Sequence, residues 1–296
     1  MAPAMIPSLR ARDYLSDVKP IWCPGCGHFG VLSALTKALA YLERPKHEIA
    51  VISGIGCSSR VPAYLDCYGF HGLHGRALPL ATGLKAARPD LTVIATGGDG
   101  DGFSIGGNHF LHACRRDIDL CYIVMDNAVY GMTKGQASPT TPPDWTQSAL
   151  TPHGTGIPAF RPAAIALASG ASFIARGFSG DPHGLSELIT RAILHPGFAF
   201  VHVLSPCRTY RPDDQSSWKQ AVHPFGEHIL SAAEAVAETA VDTKPGATPA
   251  LHVQDDGLGL GILHEVARGP ASTSATAGTS PDRQAALDAI EAELEA

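Results

Sequence analysis

Apolar residues along the chain switch between two spacings, and this alternation predicts the order of helices and strands. They recur at helical spacing in four segments, residues 29–43, 77–88, 108–116 and 183–194. Short continuous apolar runs, typical of buried strands, occupy residues 49–54, 91–96, 120–127, 171–176 and 197–205. Because strands and helices alternate, we expect an α/β fold with a doubly wound, mostly parallel sheet covered on both faces.

Two stretches depart from this alternation. Residues 131–162 are rich in Gly, Pro, Ser and Thr, and a loop of this length in a compact domain is usually functional or disordered, so we expect it to contact a substrate or partner. From about residue 225 the pattern fades, and residues 269–281 are of low complexity. We therefore predict one domain over residues 1–225 and a partly ordered acidic tail over residues 226–296.

The charge and hydropathy patterns exclude two classes of protein. Residues 226–296 carry 12 Asp or Glu and 3 Lys or Arg, so the formal net charge of −6 belongs to the tail. The remaining body has no basic run, which argues against nucleic-acid binding. No run approaches the roughly 20 apolar residues of a membrane span, and no signal-peptide pattern opens the chain. We expect a cytoplasmic protein that binds neither nucleic acid nor membrane.

Four of the seven cysteines lie at the ends of predicted strands or in turns. Cys23 and Cys26 form a C-x-x-C motif, while Cys57 and Cys207 stand alone. Four thiolates can hold zinc or an iron–sulfur cluster, and a C-x-x-C can also be a redox pair. One C-x-x-C joined by two isolated cysteines favours a cluster, although the spacing leaves all three alternatives open. The other cysteines lie in apolar or helical runs and are expected to be structural: Cys67, Cys114 and Cys121.

A glycine-rich segment with two aspartates, Gly98 to Gly102, follows a predicted strand, and Asn127 ends the next one. The carboxyl ends of parallel strands meet at one edge of a sheet, where open α/β folds bind ligands. Glycines allow backbone N–H groups to surround a diphosphate. The side-chain oxygens of Asp99 and Asn127, with the carbonyl of Val129, suit Mg²⁺. A glycine-rich turn with a capping aspartate is the alternative.

Five motifs resemble the β subunits of 2-oxoacid:ferredoxin oxidoreductases, which are thiamine diphosphate enzymes; in chain order they are WCPGCG, GIGCSSR, YGFHGLHGR, GDGDGFSIGGNH and YGMTKGQASPT. The resemblance covers about residues 20–210. It implies the thiamine-diphosphate-binding fold and oxidative decarboxylation of a 2-oxoacid, 2-oxoglutarate before pyruvate, to an acyl-coenzyme A and CO₂. Electrons would pass to ferredoxin. A partner α subunit would supply an essential glutamate, so we expect the chain alone to be inactive.

The resemblance also implies roles for individual residues. One 4Fe–4S cluster would be held by Cys23, Cys26, Cys57 and Cys207, and Mg²⁺ by Asp99, Asn127 and the Val129 carbonyl. Thiamine diphosphate would contact Ile55, Gly56, Cys57, Ser58, His74, Gly98, Gly100, Asp101, Gly131 and Met132. His74 and Lys134 are the expected catalytic residues, His74 as a donor toward the diphosphate or the 2-oxoacid and Lys134 as a partner for the substrate carboxylate.

Two other functions fit parts of the same pattern. A non-oxidative thiamine-dependent decarboxylase or synthase would use the glycine-rich segment and Asn127 in the same way, but its cysteines would be inert. A zinc-stabilised binding module would use the cysteines alone and bind no thiamine diphosphate. The metal content separates these alternatives from the oxidoreductase.

Overall fold

The computed structural model describes residues 9–224 and 257–266, which form one sheet with helices on both faces. Six α-helices are described: α1 (His28–Tyr41), α2 (Ala77–Ala87), α3 (Gly107–Arg116), α4 (Pro162–Ala168), α5 (Pro182–Leu194) and α6 (Asp214–Ala221). The strands are β1 (Ile49–Ser53), β2 (Tyr68–His71), β3 (Thr92–Gly98), β4 (Leu120–Asp126), β5 (Phe173–Phe178), β6 (Phe198–Leu204), β7 (His223–Pro224) and β8 (Gly259–Glu265). No helix among the described residues is long and apolar enough to cross a membrane.

The strands lie in the order β2-β1-β3-β4-β6-β5-β8-β7. Every pairing from β2 through to β5 is parallel, and β8 runs antiparallel to β5. The chain passes from β1 outward to β2 and then returns to the other side of β1, so the winding direction reverses between β1 and β3. Such a reversal leaves a crevice at the carboxyl ends of the strands, where open α/β sheets bind ligands.

Two apolar cores cover the two faces of the sheet, as the doubly wound prediction requires. Helices α1 and α5 pack on one face, and α2, α3 and α4 on the other. Successive residues of each strand point into opposite cores, since side chains alternate across a strand. In β4, for example, Ile123 belongs to the core under α1, while Tyr122 and Val124 belong to the core under α3. The predicted α/β fold class is confirmed.

The predicted helices and strands agree with the structure within a few residues, but the structure adds elements that the pattern missed. Strand β2 is an exposed edge strand, so its sequence carries no buried apolar run. Helices α4 and α6 are short, with seven and eight residues, and lie beside the long loop and near the predicted end of the domain. Helical periodicity is hard to detect over two turns.

Strand β8 comes from the segment predicted as an acidic tail. It pairs with β5, and Val266 N–H donates a hydrogen bond to the Ser172 carbonyl at 2.9 Å. This part of the tail therefore belongs to the sheet. The boundary at residue 225 stays a prediction, and the low-complexity and acidic residues from 269 onward lie outside the described residues.

A glycine at the start of α1 permits close packing against the turn after β5. A Cβ atom on Gly30 would lie 2.0 Å from the Ser179 carbonyl oxygen, whereas a Cβ on Gly83, in α2, would meet nothing within 4 Å. We predict that Gly30→Ala lowers the free energy of unfolding by about 1–3 kcal/mol because the helix must shift. The matched Gly83→Ala variant should raise it by about 0.5–1 kcal/mol, since alanine favours helix. Urea unfolding measures both; equal effects would contradict the packing account.

Candidate functional site

The carboxyl ends of β1, β3 and β4 surround a cavity of about 280 Å³. Its walls come from the segment after β1, the glycine-rich turn after β3 and the loop after β4, with His74 from the segment before α2. These segments are distant in sequence and adjacent in space because their strands are parallel neighbours. The cavity therefore occupies the crevice that the strand order creates.

The Cys23–Cys26 segment is a tight turn just before α1. Gly25 has a φ of 79°, a conformation that glycine adopts without strain, and the Cys26 N–H donates to the Cys23 carbonyl at 3.0 Å. Proline and glycine at the two central positions are typical of a type II turn. The turn fixes both thiols at the start of α1, beside the cavity.

Two more thiols approach this turn from other parts of the chain. The Sγ atoms of Cys57 and Cys207 lie 3.7 and 3.8 Å from the position that a Cβ atom on Gly131 would occupy. A Cβ atom at position 131 would therefore touch both thiols at ordinary van der Waals distance. The Trp22 indole donates to the Cys57 carbonyl at 2.7 Å, which ties the segment of Cys57 to the C-x-x-C turn.

The other thiols lie close enough to Cys26 and Cys57 to affect the ionisation of these two. Burial above all, together with the neighbouring Cys207, Cys57 and Cys23, raises the pKa of Cys26 to about 12, against a hydrogen bond from the His28 backbone that lowers it. Burial and neighbouring thiols also raise the pKa of Cys57. Within residues 9–224 and 257–266, no three His, Cys, Asp or Glu side chains are arranged to hold a metal ion. The thiols thus form a neighbouring group, not a closed metal site.

The Asp101 carboxylate ties together three segments of the cavity wall. Its Oδ1 accepts hydrogen bonds from the Ile55 N–H at 2.9 Å, the Gly75 N–H at 2.7 Å and His74 Nδ1 at 2.9 Å. Asp101 is only 2% exposed, and its Oδ2 has no partner among the described residues. A Cβ atom on Gly54 would lie 2.0 Å from that oxygen. Asp101 therefore fixes the position of His74.

The glycine-rich turn presents bare backbone to the cavity. A Cβ atom on Gly100 would lie 2.1 Å from the ring of Tyr130, whose hydroxyl donates to the Gly100 carbonyl at 3.2 Å. A Cβ on Gly98 would lie 3.0 Å from the Ser58 hydroxyl oxygen. Side chains larger than hydrogen are excluded at position 100 and crowded at position 98. Both glycines line the cavity, and backbone without side chains in a cavity wall suits binding of a phosphate group.

Asp99 is buried close to a second carboxyl group. The Thr140 hydroxyl lies 3.0 Å from Asp99 Oδ2 and 2.7 Å from Asp126 Oδ1. Burial first, and then the negative charge of Asp126, raise the pKa of Asp99 to about 7. A single hydroxyl proton cannot serve both carboxylates. A proton or a cation near Asp99 therefore relieves the repulsion.

A larger cavity of about 450 Å³ adjoins the first on the far side of Thr140 and Asp126. In the wall of this second cavity, Asp126 Oδ2 pairs with His202 Nε2 at 2.8 Å, and Arg176 Nε donates to His202 Nδ1 at 3.1 Å. None of the residues predicted for the site lines this second cavity. Its wall instead holds Asp126 in place beside Asp99.

Comparisons with known proteins agree on one family. Residues 25–203 match the family model described as "Thiamine pyrophosphate enzyme, C-terminal TPP binding domain". Over 206 residues the chain is 44% identical to 2-oxoacid:ferredoxin oxidoreductase 2, subunit beta, of Aeropyrum pernix; this segment is 70% of the chain and 66% of that relative, just under two thirds. Over 202 residues it is 45% identical to 2-oxoglutarate synthase subunit KorB of Archaeoglobus fulgidus, 67% of the chain and 74% of that relative.

A solved structure extends this likeness to almost the whole chain. This solved structure is that of the 2-oxoglutarate:ferredoxin oxidoreductase from Magnetococcus marinus with 2-oxoglutarate, coenzyme A and succinyl-CoA bound. The match has a TM-score of 0.82 at 36% identity and covers 96% of this chain and 97% of the other. The chain belongs to the 2-oxoacid:ferredoxin oxidoreductase β-subunit family. The resemblance inferred from the five motifs is confirmed.

Most of the residues predicted for the site of this β subunit line the cavity: Ile55, Gly56, Cys57, Ser58, His74, Gly98, Asp99, Gly100, Asp101, Asn127, Val129, Gly131 and Met132. Asn127 Oδ1 accepts a hydrogen bond from the Val129 N–H at 3.2 Å. Cys23, Cys26 and Cys207 lie beside the cavity without lining it. The binding roles of all these residues stay predictions.

Lys134 differs from the other predicted site residues. It is exposed, and it is not part of the cavity wall. Its φ is 80°, and its N–H donates to the Gly131 carbonyl at 3.3 Å, so it occupies a turn at the cavity rim. Of the cysteines expected to be structural, Cys114 and Cys121 are buried and Cys67 is partly exposed.

Sequence reasoning missed several residues of the β subunit's site. His28, Met125, Tyr130 and Thr133 also line the cavity. His28 follows the C-x-x-C motif by two positions, and this proximity was the available signal. Thr140 contacts Asp99 from the loop 131–162, for which only a general functional role had been predicted.

The raised pKa of Asp99 predicts a pH-dependent stability in protein freed of metal and cofactor. The folded chain binds a proton there up to about pH 7, and the unfolded chain only to about pH 4. Stability should therefore fall as the pH rises through this window, by at most about 1.4 kcal/mol per pH unit. We predict that Asp99→Asn gains stability over the wild type from pH 4 to 8, as measured by urea unfolding.

The exposed Asp144→Asn variant is the matched control, because it makes the same change of side chain outside the cavity. A constant difference for Asp99→Asn across the same range would show that burial does not hold the Asp99 proton.

Proposed function

We propose that this chain is the β subunit of a 2-oxoacid:ferredoxin oxidoreductase that binds thiamine diphosphate, Mg²⁺ and one 4Fe–4S cluster. The reaction converts a 2-oxoacid, coenzyme A and two oxidised ferredoxins to an acyl-coenzyme A, CO₂, two reduced ferredoxins and one proton. The observation that carries the proposal is the single cavity that brings the glycine-rich turn, Asp99, Asn127 and His74 next to four thiols. The expected compartment is the cytoplasm, where thiols stay reduced.

The residues around Asp99 suit a magnesium diphosphate. Asp99 and Asn127 offer the oxygen donors that Mg²⁺ prefers, and the Val129 carbonyl lies in the same wall. The cation would replace the proton that burial holds on Asp99 at neutral pH. Bound thiamine diphosphate supplies the carbon nucleophile and the electron sink for decarboxylation. Asp101 holds the imidazole ring of His74 in the cavity wall, where the ring would face the bound cofactor and substrate.

The four thiols suit an iron–sulfur cluster better than zinc. Around one zinc ion, with Zn–S bonds of about 2.3 Å, four sulfurs would be packed tightly together. Cys23, Cys26, Cys57 and Cys207 instead combine one C-x-x-C motif with two isolated cysteines, a spacing that favours a cluster. A cluster there supplies one-electron transfer to ferredoxin. Positive iron would also stabilise buried thiolates whose pKa values are raised.

Support for 2-oxoglutarate as the substrate comes from relatives. The Archaeoglobus relative is named a 2-oxoglutarate synthase subunit, and the Magnetococcus structure contains 2-oxoglutarate and coenzyme A. We propose 2-oxoglutarate first and pyruvate second, with a partner α subunit that completes the site.

Anaerobic co-expression with an α subunit tests the proposal. We expect ferredoxin reduction that requires both a 2-oxoacid and coenzyme A, and no turnover by the chain alone. Release of CO₂ without electron transfer would indicate a non-oxidative thiamine enzyme. One zinc per chain with no thiamine diphosphate bound would indicate a binding module.

Replacing a cluster ligand should remove iron. We predict that Cys57→Ala and Cys207→Ala lose most of the iron and sulfide of the wild-type complex, because three thiolates hold a four-iron cluster poorly. Cys67→Ala is the matched control and should keep both, since Cys67 lies outside the group. Full iron content in both ligand variants would contradict the assignment.

Replacing Lys134 should weaken substrate binding. We predict that Lys134→Ala raises KM for the 2-oxoacid about tenfold or more, since it removes a charged partner of the carboxylate, and leaves the iron content unchanged. Lys219→Ala, on the exposed surface of α6, serves as the control. An unchanged KM for Lys134→Ala would exclude this role.

A further inference from the structure

Asp126 lies next to two of the residues predicted to bind Mg²⁺, and the proposed function gives it no role. It is the last residue of β4, it is 4% exposed, and it does not line the cavity proposed for the cofactor. Asn127 follows it directly, and Val129 comes two positions later. The contacts that hold Asp126 therefore bear on where the Asn127 side chain and the Val129 carbonyl lie.

One oxygen of the Asp126 carboxylate shapes the turn that follows β4. Oδ1 accepts a hydrogen bond from the Ala128 N–H at 2.9 Å. Ala128 has a φ of 52°, a left-handed conformation that residues other than glycine adopt only where neighbouring contacts stabilise it. On its other side, the Ala128 carbonyl accepts a hydrogen bond from the Thr141 hydroxyl at 2.8 Å. Both polar backbone groups of Ala128 are held, so the turn between Asn127 and Val129 has a defined shape.

His202 holds the other oxygen of this carboxylate. It lies on β6, the neighbour of β4, and is 4% exposed. Its Nε2 is 2.8 Å from Asp126 Oδ2. The imidazole ring stacks beside the ring of Phe200, with 6.1 Å between centroids and an interplanar angle of 16°. Packing of this kind leaves the imidazole little freedom to turn away from Asp126.

Arg176 determines which nitrogen of His202 carries the proton. Arg176 lies opposite His202 on the next strand, β5, and its Nε donates to His202 Nδ1 at 3.1 Å. A guanidinium group has donors only, so Nδ1 must accept with its lone pair and the ring proton lies on Nε2. The Nε2–H group therefore donates to Asp126 Oδ2. The hydrogen bonds from Arg176 through His202 to Asp126 cross three adjacent strands and run in one direction.

We propose that His202 is a positioning residue for the bound cation: by fixing Asp126 it sets the turn that presents Asn127 and the Val129 carbonyl to Mg²⁺. This inference rests on the proposed function. His202 does not line the cavity proposed for the cofactor, so it acts through Asp126 and not by contact with the cation. Groups behind the ligands of a metal orient those ligands, and their loss typically lowers metal affinity about 10- to 100-fold.

Two amide side chains at position 202 separate the bond to Asp126 from the other contacts of the ring. His202→Gln places an amide N–H near the position of Nε2, whereas His202→Asn reaches only the position of Nδ1 and can still accept from Arg176. The probe is Mn²⁺, titrated by EPR into the complex with the α subunit after removal of divalent cations, with excess thiamine diphosphate. We expect His202→Asn to raise Kd about tenfold or more. His202→Gln should stay within threefold of the wild type. His183→Asn, an exposed histidine on α5, is the control.

Turnover and iron content, measured on the same samples, distinguish positioning from a general loss of structure. At saturating Mg²⁺ we expect His202→Asn to recover at least half of the wild-type kcat, with the iron content unchanged. Equal loss of Mn²⁺ affinity in the Asn and Gln variants would show that the ring itself is required, and would overturn the inference. A kcat that saturating Mg²⁺ does not restore, with an unchanged Kd, would overturn it as well.

If His202→Asn does not assemble with the α subunit, Asp126→Asn replaces it. An amide at position 126 has one acceptor oxygen, so it cannot accept from both His202 and Ala128. A raised Kd for Mn²⁺ in this variant is then the expected result, and an unchanged Kd overturns the inference. A wild-type complex that binds neither Mn²⁺ nor thiamine diphosphate overturns the proposed function and this inference together. Binding by the wild type and by His202→Asn with equal Kd overturns the inference alone.

Discussion

The buried carboxylate of Asp101 is the interaction on which the geometry of the cavity depends. One of its oxygens accepts hydrogen bonds from the segment after β1, from the segment before α2 and from His74. Gly54 comes so close to the other oxygen that no side chain fits there. Parallel strand pairing brings these segments to one edge of the sheet, and Asp101 fixes their relative positions. Without this carboxylate, two backbone N–H groups would lose their partner, a cost of about 1–3 kcal/mol each.

The site brings together acidic side chains whose charged forms the protein alone stabilises poorly. Asp99 and Asp126 share one hydroxyl donor, and burial beside other thiols raises the pKa values of Cys26 and Cys57. Both groups lie around the same cavity, so cations bound there would relieve two unfavourable arrangements at once. The relay from Arg176 through His202 to Asp126 supports this arrangement from the neighbouring cavity. The family membership and the electrostatics thus lead to the same function.

A strand could be predicted from the sequence only where its burial produces a recognisable run of apolar residues. The strands buried on both faces, such as β4 and β6, read as continuous apolar runs and were predicted nearly to the residue. Strand β2 is exposed and β8 pairs antiparallel from a distant segment, so neither shows in local periodicity. The same limit applied in the site. Motif residues such as Asp99 were found by type and spacing, but Thr140 and His28 reach the site through contacts that only the folded chain creates.

The central claim is that one edge of the sheet holds thiamine diphosphate and an iron–sulfur cluster side by side. A crystal structure of the anaerobically purified complex, grown with thiamine diphosphate and Mg²⁺ and measured at the iron absorption edge, tests it most directly. The account predicts anomalous density for four irons bonded to Cys23, Cys26, Cys57 and Cys207, beside a diphosphate whose Mg²⁺ contacts Asp99 and Asn127. A single zinc ion on the cysteines, or a diphosphate bound away from Asp99, would contradict it.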